Sequence, residues 1–129
     1  MVGLGQPVDG PVRHLYVHVP YCHKICPYCS FYKHLPGEGN LAGYSAALLA
    51  EARSWRAGEV PLALDTVYFG GGTPTLLSTS ILADLLPALA ATLDFGKVRE
   101  WTMEVNPRTI TPEKAEVMRA AGVTRVSLG

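Results

Sequence analysis

HLYVHVPYCHKICPYCSFY, residues 14–32, is the stretch on which the fold turns: its first six residues alternate like a β-strand, and its next ten contain every cysteine of the chain. Alternation of apolar and polar positions among β-forming residues predicts a strand over 14–19. A thiol-bearing loop set directly on a strand's carboxyl end lies where (β/α) folds keep their chemistry. Cys22, Cys26 and Cys29 are three thiols with no fourth. A structural zinc site wants four ligands and a disulfide framework wants pairs. Three thiolates on a short loop suit an iron–sulfur cluster with one iron left open, because cysteine sulfur is the usual cluster ligand. Two other readings stand beside it. Three cysteines with His23, His18 or His34 make a Cys3His zinc set. Unligated, inert thiols are the other, which such tight clustering argues against. Tyr28, between two of the thiols, has the ring to cover a cluster or simply to keep water away from it.

Outward from this stretch, residues 1–13 form a Gly/Pro-punctuated lead-in. After the cysteines, HLPGEGN (34–40) is a turn-rich connector with Asn40 as a helix N-cap. Leu41, Tyr44, Leu48, Ala52 and Trp55 recur at helical spacing, predicting a helix over 41–57 that Gly58 ends. A second strand is predicted at 66–69 (TVYF), running straight into Gly70-Gly71-Gly72-Thr73-Pro74. The next helix, 79–93, carries Leu82, Leu85, Leu86 and Leu89, with Pro87 expected to kink or split it. A third strand covers 100–105. Thr111 then caps a helix that Pro112 opens and Gly122 stops, and a fourth strand covers 125–128. The order β-α-β-α-β-α-β predicts an α/β fold with a parallel sheet and helices packed outside it.

Parity within the strands separates two faces. Leu15, Val17 and Val19 oppose Tyr16 and His18; Trp101, Met103 and Val105 oppose Thr102 and Glu104; Val126 and Leu128 oppose Arg125 and Ser127. With the apolar set sealed against helices, Tyr16, His18, Tyr68, Thr102, Glu104, Arg125 and Ser127 face the inside of a curved sheet. A purely structural barrel core holds Val, Ile and Leu there. This lining is polar, so it is expected to meet a polar ligand.

The glycine run lets a backbone approach a ligand closely. It is no Walker loop, since no Gly-Lys-Ser/Thr follows it. A tight turn is the plain alternative, but its place on the same sheet end as the cysteines favours a ligand site, with carbonyl groups for an ammonium and the Thr73 hydroxyl beside them. An inward Glu104 is costly unless paired. Its partner is either a ligand's ammonium or ribose hydroxyls, or Arg125 one strand over.

With 48% hydrophobic residues over 129 positions and a formal net charge of +0, the chain can bury a core but carries no field for nucleic acid or anionic membrane. No apolar run reaches the length of a membrane span and no signal peptide is legible, and clustered free thiols fit a reducing compartment; a cytoplasmic location is expected.

Together, LYVHVPYCHKICPYCSFY, VYFGGGTPTLLS, MEVNPR and TRVSLG resemble the amino-terminal half of the oxygen-independent coproporphyrinogen III oxidase group of radical S-adenosylmethionine (SAM) proteins, including its haem-chaperone (HemW-like) branch. The likeness spans about residues 15–129. It implies a partial (β/α)6 barrel, with residues 14–129 as its incomplete core, and a [4Fe–4S] cluster on Cys22, Cys26 and Cys29. It also implies SAM contacts at Tyr16, Tyr28, Gly71, Gly72, Thr73 and Glu104, and cleavage of SAM to a 5′-deoxyadenosyl radical by the reduced cluster. Oxidases of the group carry a further cysteine two residues after the third; here that position is Phe31, as in the chaperone branch. A haem chaperone is therefore the first expectation and an oxidase decarboxylating porphyrinogen propionates the second; a metal-binding module without SAM is the third. The resemblance implies haem or porphyrinogen, an electron donor and a haem-receiving protein as partners. It also makes the 129 residues a fragment, not expected to be active by itself.

Overall fold

The computed structural model describes residues 10–21 and 40–129. Four strands, β1 (Val12–Val19), β2 (Leu62–Gly71), β3 (Glu100–Val105) and β4 (Arg125–Leu128), form one parallel sheet in the order β1-β2-β3-β4. Between them run α1 (Asn40–Ala57), α2 (Thr79–Leu93) and α3 (Pro112–Ala121). Helix α2 packs against both α1 and α3. This is the expected partial (β/α) barrel, with strand-to-strand connections through helices on one face.

That face carries the core. Val17, Val19, Val67, Phe69, Trp101, Met103 and Val105 from the strands meet Leu82, Leu85, Leu86 and Leu89 from α2 and Met118 from α3, all of them buried. Trp101 is set edge-on to Phe95, with ring centroids 5.0 Å apart at 87°, and tilted against Phe69 at 5.8 Å. Such aromatic pairs add about 0.5–1.5 kcal/mol beyond the area they bury.

The bounds of α2, α3, β3 and β4 agree with the sequence reading, and the caps explain why. The Ser78 hydroxyl accepts from the Ile81 N–H at 3.2 Å, and the Thr111 hydroxyl from the Lys114 N–H at 3.1 Å. Each satisfies one of the donors a helix start leaves open. Asp94, at φ 56°, ends α2 and accepts from the Gly96 N–H.

β1 begins at Val12, two residues before the expected start, and three further expectations need correction. Asn40 is the first helical residue of α1 rather than a cap preceding it. β2 is ten residues long and begins at Leu62, four earlier than expected. The pairing register shifts between Val12 and His14, and the buried positions of β2 pass from Leu64 to Val67 and Phe69, from even to odd. An alternation that changes phase does not read as one strand. Third, Pro87 does not split α2, which is continuous from Thr79 to Leu93. Pro87 and Ala83, the residue whose carbonyl it cannot bond, are both exposed, so the orphaned carbonyl is on the solvent side of the helix. An alanine there restores the hydrogen bond. Pro87→Ala is expected to stabilise the protein by roughly 1–2 kcal/mol, the helix gain less the freedom returned to the unfolded chain. Denaturant melts of the variant beside the parent check this.

On β4 the apolar parity is not sealed. Val126 and Leu128 are 53% and 66% exposed, beside a groove of about 310 Å³ that Ile110, Met118 and Val123 also line.

Candidate functional site

The opposite face of the sheet is polar, as parity predicts. Tyr16 on β1 and Tyr68 on β2 are register partners, and their rings stack at 6.1 Å and 21°. The Tyr16 hydroxyl meets His18 Nδ1 at 3.1 Å. From β2, the Tyr68 hydroxyl donates to Glu104 Oε2 on β3 at 2.7 Å, and the Gly71 N–H donates to Oε1 at 3.1 Å. Both carboxylate oxygens are thus held by neutral donors, one from a side chain and one from the glycine run. A negative charge with charge-assisted hydrogen bonds and, among the described residues, no ion-pair partner is well prepared for a cationic or hydroxyl-bearing ligand.

The proposed ion pair between Glu104 and Arg125 is not formed. The β3–β4 register sets Arg125 beside Thr102 and puts Ser127 beside Glu104. Arg125 reaches back instead to Glu100, at 3.3 Å between two exposed side chains, a contact that solvent screens and that contributes little. Thr102 is 3% exposed, and its hydroxyl also turns to Glu100.

The tyrosines on this face hold their protons. The hydrogen bond to Glu104 raises the Tyr68 phenol above its ordinary value, followed by desolvation and the carboxylate charge, with Ser127 opposing. Burial raises Tyr16, and the charge of Glu104 adds to it. Tyr68 therefore stays a donor to Glu104 at neutral pH. The raised phenol contributes stability that is fully present below the ordinary tyrosine range and is lost as pH rises through the folded-state value.

The glycine run closes the sheet end. Gly71 has φ +100°, and a Cβ there would lie 2.4 Å from His18 Nδ1. At Gly72 a Cβ would lie 2.3 Å from the Tyr21 carbonyl oxygen and 2.7 Å from that of Val19. This cradle accepts only glycine. The Gly72 N–H donates to the Val19 carbonyl and the Thr73 N–H to the Tyr21 carbonyl, both at 2.7 Å. With those amides committed to β1, a ligand here meets carbonyl oxygens and the Thr73 hydroxyl rather than a nest of N–H groups.

Of the residues singled out from the sequence, Tyr16, Gly71, Gly72, Thr73 and Glu104 are brought to one end and one face of the sheet. Cys22, Cys26, Cys29 and Tyr28 lie outside the described residues, as do His23 and His34. Tyr21 directly precedes Cys22 and is paired to the glycine run, so the chain enters the cysteine loop at the edge where Glu104 sits. The donor set of three thiols and this glycine-lined, carboxylate-bearing edge fit a cluster that shares its site with an amino-acid-bearing ligand. Among the described residues no group of three His, Cys, Asp or Glu side chains could hold a metal, and no helix is long and apolar enough to cross a membrane.

Sequence reasoning missed three supports. Tyr68 was placed on the inner face but not as the residue that holds Glu104; the alternation through TVYF contains the only signal for it. Tyr44 was read as helix spacing, yet its hydroxyl donates to the His18 carbonyl at 2.6 Å and its ring meets Tyr21 edge-on at 5.6 Å. Lys114 Nζ donates to the carbonyls of Thr75 at 2.7 Å and Thr109 at 3.1 Å, while the hydroxyls of those threonines meet at 2.6 Å. This stitches the loop after β2 to the loop after β3; desolvation lowers the lysine's pKa.

The Radical SAM superfamily model matches residues 16–129. A heme chaperone HemW from Lactococcus lactis is 39% identical over 88% of this chain and 29% of its own length. Heme chaperone HemW from Escherichia coli is 38% identical over 92% of this chain and 32% of its own. The solved structure of coproporphyrinogen III oxidase (HemN) from Escherichia coli, described as a radical SAM enzyme, superposes with a TM-score of 0.80 at 30% identity, covering 94% of this chain and 28% of that one. The chain spans less than a third of the length of these relatives.

Proposed function

The chain belongs to the radical SAM superfamily, and from that premise we propose that residues 14–129 are the amino-terminal part of the core of a haem chaperone, with residues 1–13 as a lead-in. Membership in the family implies SAM and a [4Fe–4S] cluster. The observation that carries the site assignment is Glu104, a carboxylate held open on the polar face by Tyr68 and Gly71, at the sheet end where β1 leads into the three cysteines.

In this reading Cys22, Cys26 and Cys29 ligate three irons. Glu104 receives the ammonium or ribose hydroxyls of SAM, and Gly71, Gly72 and Thr73 form the wall that a side chain would obstruct. Tyr16 lines the same face as Glu104, stacked on Tyr68, and Tyr28 covers the cluster or the adenine. The cluster and SAM together supply one-electron cleavage of SAM when both are bound. The chain's own residues bind and orient: Tyr68 and Gly71 fix both carboxylate oxygens before any ligand arrives, so little reorganisation is needed.

Between chaperone and oxidase, Phe31 favours the chaperone, because an aromatic ring cannot stand in for a thiol in handling protons, hydrogen or electrons beside a cluster. The HemW relatives support the same side. The alternative is a coproporphyrinogen III oxidase, supported by the HemN likeness. Haem or porphyrinogen, an electron donor and a haem-receiving protein are the partners this reading requires, in the cytoplasm. The test is an anaerobic assay of the intact protein with SAM, reductant and coproporphyrinogen III, beside a haem titration. Stable haem binding with little or no porphyrinogen oxidation is expected; robust protoporphyrinogen formation without stable haem binding would promote the oxidase.

A further inference from the structure

Three consecutive amides of the glycine run do two jobs. The Gly71 N–H holds Glu104 Oε1 at 3.1 Å, and the next two, from Gly72 and Thr73, hold the carbonyls of Val19 and Tyr21, each at 2.7 Å. Val19 ends β1, and Tyr21 is the residue before Cys22. From the other side, the Tyr44 hydroxyl of α1 donates to the His18 carbonyl and its ring abuts Tyr21. The strand end that feeds the cysteines is therefore gripped on one flank by the glycine run and on the other by α1.

We infer that Gly72 and Tyr44 are positioning residues that set where the cysteine loop leaves the sheet relative to Glu104. One short rigid span, Gly71 to Thr73, joins the carboxylate to the root of the first thiol, so the two halves of the site move together. Gly72 is singled out because a Cβ would sit 2.3 Å from the Tyr21 oxygen, a backbone atom that cannot swing aside as a side chain does. The only relief is to push β1 and the glycine run apart. That displaces Tyr21, the residue before the first thiol, and metal and ligand sites tolerate only about 0.5 Å of such movement. Tyr44 is buried enough to push its phenol well above the ordinary value, which keeps it a donor to His18.

The inference rests on the cluster reading above, so its test separates the two. In the intact protein, Gly72→Ala and Tyr44→Phe are reconstituted anaerobically beside the parent. Iron per protein, the EPR spectrum of the reduced cluster, and exchange rates of the Gly72 and Thr73 amides in the apo protein are then measured. Slow exchange of both amides is expected in the parent. For Gly72→Ala, retention of iron is expected to fall about 10- to 100-fold, the loss typical of groups that orient metal ligands, with faster exchange at Thr73. Tyr44→Phe keeps the ring and should lower iron retention by less, with a change in the EPR signal of the reduced cluster. A folded Gly72→Ala with parental iron and EPR signal overturns the inference. Should Gly72→Ala fail to fold, a Tyr44→Phe protein indistinguishable from the parent does the same. A parent with protected amides that takes up no cluster overturns the cluster reading itself, and the positioning role with it.

Discussion

Replacing Cys26 by alanine in the intact protein is expected to reduce reconstituted iron to background and to erase the perturbation that SAM makes in the cluster's EPR signal. Three thiols are the minimum that leaves one iron open, and these 129 residues hold no fourth cysteine to take the vacant place. A two-thiol remnant has neither the charge nor the coordination to retain a four-iron cluster. The parent should take up iron as a [4Fe–4S] cluster with one iron spectroscopically distinct. Stoichiometric zinc in the parent without iron would return the loop to the Cys3His reading, and an unchanged cluster in Cys26→Ala would remove Cys26 from the ligand set.

Glu104→Ala should separate binding from folding. Deleting a charged hydrogen-bond partner removes about 1.5–3 kcal/mol, so SAM affinity is expected to fall roughly 10- to 100-fold. Stability should move far less. Among the described residues Glu104 has no cation to strand, since Arg125 is engaged with Glu100, and the Tyr68 hydroxyl it releases belongs to a residue 36% exposed that can turn to water. Breaking a buried ion pair costs several kcal/mol because a charge is left uncompensated, and that term is absent here. Calorimetric titration beside thermal melts checks the pair of claims. Unchanged SAM affinity with a large fall in melting temperature would make Glu104 a structural residue.

The elements that sequence reading placed well share one property: their signals are local. Thr111 and Pro112 mark a helix start within two residues, and Gly122 marks its end. Trp101, Met103 and Val105 keep one phase through the whole of β3. The misses are long-range or out of phase. β2 was shortened because its burial changes parity between Leu64 and Val67. Parity places Arg125 and Ser127 on one face without register, so it leaves the partner of Glu104 open, and register decides that Ser127, not Arg125, lies beside Glu104. The braces from Tyr44 to His18 and from Lys114 to Thr75 span 26 and 39 residues, and nothing in either neighbourhood announces them. The inner-face residues themselves were legible, because polar side chains at every second position of a sheet contradict an ordinary core.

The spatial order of the strands repeats their order in the chain, and this has a consequence for how the protein is made. Among these four strands each new β/α unit needs only its predecessor as a template, so they can pair one at a time as the polypeptide leaves the ribosome. Synthesis proceeds at about 5–20 residues per second, slow beside hairpin or helix formation. The pairing of β1 with β2, which includes the grip of Gly72 and Thr73 on Val19 and Tyr21, is complete once residue 73 has emerged. The strand end that leads into the cysteines is therefore shaped early, and in the proposed reading maturation of the cluster has a formed strand pair to act on before the later β/α units are translated.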